Sequence, residues 1–181
     1  MRIHPAFHEV FGERQPLTTI IAVLVGGTLA TAALVTWDLT TFTAPAWWRT
    51  LLAVIVIWDI ACGCLANVTR STNDYYAQRP LHRRVFLAVH VHLVVVSLLL
   101  GAPLAPTVAL WAFTIVAGFV VNSLATSPQQ LLIAVSLFLF PLIASPFAYD
   151  SDPVMVGVTL LFSAKIILAF AVDHSHAAHE R

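Results

Sequence analysis

The sequence predicts an all-α fold: a polytopic membrane protein built as a bundle of six transmembrane helices with both termini cytoplasmic. Three observations predict it. Hydrophobic residues make up 59% of the 181-residue chain and charged residues 10%. That is less than half of the roughly 25% charge a soluble domain carries, so the chain cannot clothe a water-facing surface. Six apolar stretches approach the length of about 20 residues that a spanning helix needs. Almost all the cations lie on one side of those stretches. The composition excludes a soluble enzyme and a disordered chain. Nine Lys and Arg balanced by nine Asp and Glu, with no basic stripe, exclude nucleic acid as a partner.

Three regions follow in order: a cytoplasmic amphipathic segment over residues 1–16, a six-helix domain over 17–172, and a His-rich cytoplasmic tail over 173–181. Residues 1–16 mix Arg2, Arg14, Glu9, Glu13, His4 and His8 with few apolar residues. They lack the apolar core and small-residue cleavage site of a signal peptide. The spans are expected at Leu17–Thr36, Ala46–Val68, Val85–Leu100, Thr107–Ser123, Gln130–Ala148 and Pro153–Val172, the third short enough to begin nearer Leu81. Pro103, Pro106 and Pro128 punctuate the later connections. Pro141 should kink the fifth helix, which a bundle tolerates when neighbours satisfy the freed carbonyl. Gly26, Gly27, Ala30, Thr31 and Ala33 give the first helix a face for close internal packing. Cys62 and Cys64 point about 200° apart on a helix, so they read as packing residues.

The second helix carries the most specific pattern. At 100° per residue, Asp59, Gly63, Asn67, Arg70 and Asp74 fall on one face, with Ser71 nearby, as a polar stripe from mid-membrane to the cytoplasmic surface. An ionisable group at mid-membrane depth costs about 2.5–3.5 kcal/mol on insertion scales and normally faces a partner inside the bundle. Lys165 in the sixth helix lies at a similar depth, so an Asp59–Lys165 pair is expected. All eight histidines fall at the cytoplasmic side. His90 shares a face with Arg83 and Ser97, whereas His92 on a regular helix points about 200° away and is expected outside the site. Thr107, Trp111, Thr114, Gly118 and Asn122 share a face of the fourth helix, read as another wall of the same cavity.

This inventory leads to a metal-dependent membrane enzyme acting on a lipid or other apolar small molecule at the cytoplasmic face. His90, Asp173, His174 and His176 would hold zinc or iron, and Asp59, Asp74 and Lys165 would do the proton chemistry. The cavity would be lined by Gly63, Asn67, Arg70, Ser71 and Asn122. Two other readings stay open: a small proton-coupled transporter exchanging charge at Asp59 and Lys165, and a subunit of a membrane complex holding haem between His90 and a tail histidine. A homo-oligomer fits any of them. The residue inventory is similar to that of small membrane hydrolases of the alkaline-ceramidase type, but their H-x-x-x-H terminal motif and seventh helix are missing. Membrane desaturases share the many cytoplasmic histidines, but their boxes are replaced here by H-x-H and D-H-x-H. The chain is assigned to no family.

Orientation in the cell (inner or plasma) membrane follows from the charges. Arg2, Arg14, Arg70, Arg79, Arg83, Arg84 and Arg181 lie on one side and Arg49 alone on the other. A reporter that works only in the cytoplasm should therefore be active when fused to the C-terminus. Activity from an exported reporter alone would overturn the assignment.

Overall fold

The computed structural model describes residues 1–174 and is 79% helical, with no strand among the described residues. Six helices are long and apolar enough to cross a membrane: Leu17–Trp37, Trp47–Asn67, Pro80–Leu100, Leu104–Ser123, Gln130–Ala148 and Pro153–Phe170. They are called the first to sixth spans. Local chemistry sets several of their ends. Pro80 and Pro153 occupy first helical turns, where a missing N–H costs nothing. Asp152 caps the sixth span by accepting from the Val154 and Met155 N–H groups at 2.9 and 3.1 Å. Gly101, at φ +75°, ends the third in the left-handed conformation that favours glycine. The third span starts at Pro80, beyond even the earlier of the two expected starts. The fifth stays helical through Pro141 and Pro146.

The sixth span is the centre of the bundle: 61% of it is buried, against 17% of the first and of the fifth. It packs on the second, fourth and fifth spans. Phe162 and Ile166 on it are fully buried with Ile57 and Ile60 of the second span and Leu87 and Leu93 of the third. The small-residue face of the first span turns inward at Gly26, Gly27, Ala30 and Thr31, whereas Ala33 is exposed. A Cβ on Gly27 would collide with Cys62 Sγ, and one on Gly26 would lie 2.7 Å from Leu65 Cδ1.

Three irregularities decide where side chains point. The third span is broken: Pro80–Val89 and His92–Leu100 are helical, while His90 (φ −77°, ψ 85°) leaves the helix. Trp111 Nε1 donates to the His90 carbonyl at 2.7 Å, satisfying a group released by the break. The end of the sixth span, Ala164–Phe170, widens into a π-helix, with the Ala171 N–H donating to Ile166 O at 3.0 Å. Finally, the second span stops at Asn67. A separate helix, Arg70–Ala77, follows an extended Thr69 (ψ 141°), so the expected stripe is not one continuous helix face.

Both ends of the described chain lie at the same end of the bundle. There Arg83, Asn73 and Gln130 clasp the last carbonyls of the sixth span. Arg83 donates to Phe170, Ala171 and Val172 at 2.9–3.2 Å, Asn73 to Val172 at 3.1 Å, and Gln130 to Ala171 at 3.1 Å. Residues 1–16 fold back beside them as a cap. The Met1 ammonium donates to Gln15 O at 2.9 Å, Thr72 Oγ1 to Val10 O at 2.9 Å, and Arg79 pairs with Glu13 at 2.8 Å.

Gly12 makes that cap possible. Its φ of 70° and ψ of −172° belong to a region essentially reserved for glycine, and a Cβ there would also run into the Ser71 backbone. Gly12→Ala is expected to cost about 1–3 kcal/mol of local stability, seen as faster proteolysis within residues 1–16. Unchanged protection would show that the cap does not dock this closely.

Candidate functional site

Asp59 sits in the second span, about 12 Å from its Asn67 end at 1.5 Å per residue. Lys165 Nζ lies 2.8 Å from Asp59 Oδ2, and His92 Nε2 lies 3.5 Å from the same oxygen. Three spans thus meet at one carboxylate. The partners are unequally placed: the Lys165 side chain is 4% exposed, the Asp59 side chain 52%. Gly63, one turn beyond Asp59, explains how the lysine reaches. A Cβ at Gly63 would collide with Lys165 Cε and Nζ, so only glycine lets the stem cross the second span.

The break in the third span corrects the expectation that His92 points away from the site. The His90 and His92 rings stand 4.9 Å apart between centroids, on the Asp59 side. His90 Nδ1 donates to the Phe86 carbonyl, and its ring packs on Phe86 at 3.8 Å. His92 Nδ1 is buried without a hydrogen-bond partner. The H-x-H spacing was the available signal, because two residues apart share a side when the backbone is extended rather than helical.

A cavity of about 850 Å³ lies beside this group. The first half of the third span packs on the Arg70–Ala77 helix and the fourth span, while its second half packs on the second span. The break therefore splays the two spans apart. Leu24, Trp58, Cys62, Val85, Phe86 and Val89 form apolar walls, Phe7, Val10 and Phe11 of the cap lie at the termini end, and Asp59, His90, His92 and Lys165 lie at mid-span. Val89 is 59% exposed, so the cavity opens on the flank of the bundle. Asn67 and Tyr76 also line it, and Asn67 Nδ2 and Tyr76 OH are buried without partners. Burial pushes the Tyr76 hydroxyl well above its ordinary pKa, with Glu9 and Tyr75 adding to the effect.

Other expected site residues lie elsewhere. Arg70, Ser71 and Asp74 line a separate cavity of about 620 Å³ with Arg14 and Arg79, because the helix carrying them is not continuous with the second span. Arg70 pairs with Asp74 at 3.6 Å, and Ser71 Oγ accepts from the Arg14 N–H at 3.3 Å. The fourth-span face is a packing seam rather than a cavity wall. Thr107 bonds Ser97, Thr114 bonds Ser163, and Gly118 sits against Ile166; Asn122 lines neither cavity. Helical spacing would put Asp173 on the Lys165 face, but the helix ends at Phe170 and Asp173 N–H instead donates to Gln130 at 3.0 Å. His174 Nε2 donates to the Leu168 and Ala169 carbonyls at 3.1 and 3.2 Å. His176 lies outside the described residues. Among the described residues no group of three or more His, Cys, Asp or Glu is disposed to hold a metal ion. The donor set read from the sequence for zinc or iron is not gathered among them: His90 Nδ1 bonds the Phe86 carbonyl, His174 Nε2 the Leu168 and Ala169 carbonyls, and the Asp173 backbone N–H the Gln130 side chain.

The inequality of the pair sets an expectation for mutants. Asp59→Asn strands a buried ammonium, which should cost about 3–5 kcal/mol. Lys165→Met leaves a half-exposed carboxylate and should cost less. The double change should be more stable than Asp59→Asn alone, measured as melting temperature. Strictly additive effects would sink the coupling.

Comparison of the chain with protein-family models, with curated proteins and with solved structures finds no match.

Proposed function

We propose that this chain is a small proton-linked carrier of the cell (inner or plasma) membrane. It takes a lipid-like or other apolar molecule into the flank cavity from the cytoplasmic side and exchanges a proton at the Asp59 group. One observation carries the reading: an ammonium and an imidazole from two other spans share one carboxylate oxygen of Asp59, beside an apolar cavity. Ionisable groups at such depth are costly and mark substrate or proton pathways. Asp59 is the member of the group that is exposed to the cavity, so its partner can change when a ligand enters. Exchange of partners at one carboxylate couples ligand occupancy to its protonation, because losing Lys165 as a neighbour favours the neutral acid.

The metal-dependent enzyme is less well supported by the same residues. Zinc or iron would require donors from residues 175–181 to complete a set, because no group of three donors is found among the described residues.

Vesicles holding the full chain, with a pH-sensitive dye trapped inside, test the carrier. Dodecanesulfonate or dodecyltrimethylammonium is added outside; neither carries a proton through a bilayer by itself. Protein-dependent proton movement is expected with one of the two. It should be lost in Asp59→Asn, kept in Asp59→Glu, and unchanged in Asp150→Asn, which alters only an exposed connection. No movement with either ion would overturn the reading.

A further inference from the structure

The cavity's own chemistry selects the charge of its ligand, given the proton-linked reading above. Within the Asp59–Lys165 pair the cation is the fixed partner. Lys165 is 4% exposed, rooted in the central span, and its stem is seated against Gly63. The Asp59 carboxylate is half-exposed and free on its cavity side. A ligand head that displaces one partner displaces Asp59, and what stays behind is a buried ammonium. The remaining polar atoms of the site favour the same sign. Asn67 Nδ2 can only donate, and it is buried on the wall without an acceptor; Tyr76 OH is likewise unpartnered. A fixed, buried cation calls for an anionic head group, and the unspent Asn67 donor further along the wall favours an acceptor rather than a cation. Apolar walls from Leu24, Trp58, Val85 and Val89 call for a long alkyl tail.

We infer that the flank cavity binds a long-chain monocarboxylic acid, its carboxylate taking the place of Asp59 at Lys165 while Asp59 takes up the proton. The exchange balances. The O–H bond of the incoming acid breaks and an O–H bond forms on Asp59, leaving one carboxylate and one ammonium in the site as before. When the ligand arrives already ionised, the proton comes from solvent. The charged and titratable groups around Asp59 are Lys165, His92, His90 and Cys62; Glu9 of the cap and His82 of the third span line the same cavity 3.9 Å from each other. The Glu9 carboxylate is carried by the cap at the termini end and pairs with His82 rather than with Lys165.

Equilibrium binding to the full chain in lipid nanodiscs tests this, using dodecanoate, dodecanol and dodecyltrimethylammonium in weakly buffered solution. Dodecanoate should bind about tenfold or more tightly than dodecanol, with uptake of about one proton per molecule bound. Asp59→Asn should bind dodecanoate without proton uptake. Dodecanoate should also raise the melting temperature of that variant more than that of the wild-type chain, because it supplies the missing counter-ion to Lys165. Since the preference and the proton uptake are read on the wild-type protein, a poorly folding variant does not remove the test. Equal binding of dodecanol overturns the inference. Preferential binding of dodecyltrimethylammonium with proton release also overturns it, while leaving the proton-linked carrier standing. Absence of proton exchange with all three overturns both.

Discussion

A buried ammonium in an apolar bundle is the constraint on which the rest of this structure depends. Lys165 lies in the most buried of the six spans, and its charge has no solvent to satisfy it. The second span answers with Asp59 and makes the approach possible by placing glycine one turn later. The third span answers by giving up two residues of helix, which brings His92 to the same carboxylate. Each concession alone is unfavourable. A glycine lowers helix propensity by about 1 kcal/mol, and a broken helix frees backbone groups that must be satisfied within the bundle. They persist because an unpaired charge at that depth would cost more.

The broken third span also explains the cavity. A regular helix from Pro80 to Leu100 that packed on the second span at its far half would pack along its near half too. By turning at His90, the chain lets residues 80–89 lean on the short Arg70–Ala77 helix and the fourth span instead. The gap becomes the flank cavity. Trp111, bonded to the His90 carbonyl, holds the turn from the far side. The ionisable group and the apolar chamber are thus two results of one backbone irregularity, which is why they adjoin.

At the termini end, polar side chains do structural work in place of solvent. Arg83, Asn73 and Gln130 take up carbonyls at the end of the sixth span, and His174 turns back on two more. These bonds fix the height of Lys165 by anchoring the far end of the π-helix that carries it. The cap over residues 1–16 closes the same end of the cavity with Phe7, Val10 and Phe11. Glu13 pairs outward with Arg79, while Glu9 pairs with His82 along the chamber. Its amphipathic composition is therefore a matter of facing an apolar chamber on one side and water on the other.

The sequence by itself determined the helical class, the number of spans and nearly all their limits. Hydropathy over some twenty residues is a local quantity, and backbone hydrogen bonds in an apolar medium leave few alternatives to a helix. It also carried the Asp59–Lys165 pair, because two opposite charges at matched depth have few other ways to be neutralised. Everything that depended on continuing a helix past an irregularity was decided by tertiary structure. Helical spacing placed Arg70 and Asp74 with Asp59, Asp173 with Lys165, and His92 away from His90. A stop at Asn67, a π-turn at 164–170 and a break at His90 reversed all three. Such irregularities are stabilised by partners distant in sequence, such as Trp111 for the break and Arg83 for the end of the sixth span, so no local pattern announces them. For the same reason no three-donor metal group forms among the described residues: with the helix ended at Phe170, the Asp173 N–H turns to Gln130 and His174 to the Leu168 and Ala169 carbonyls.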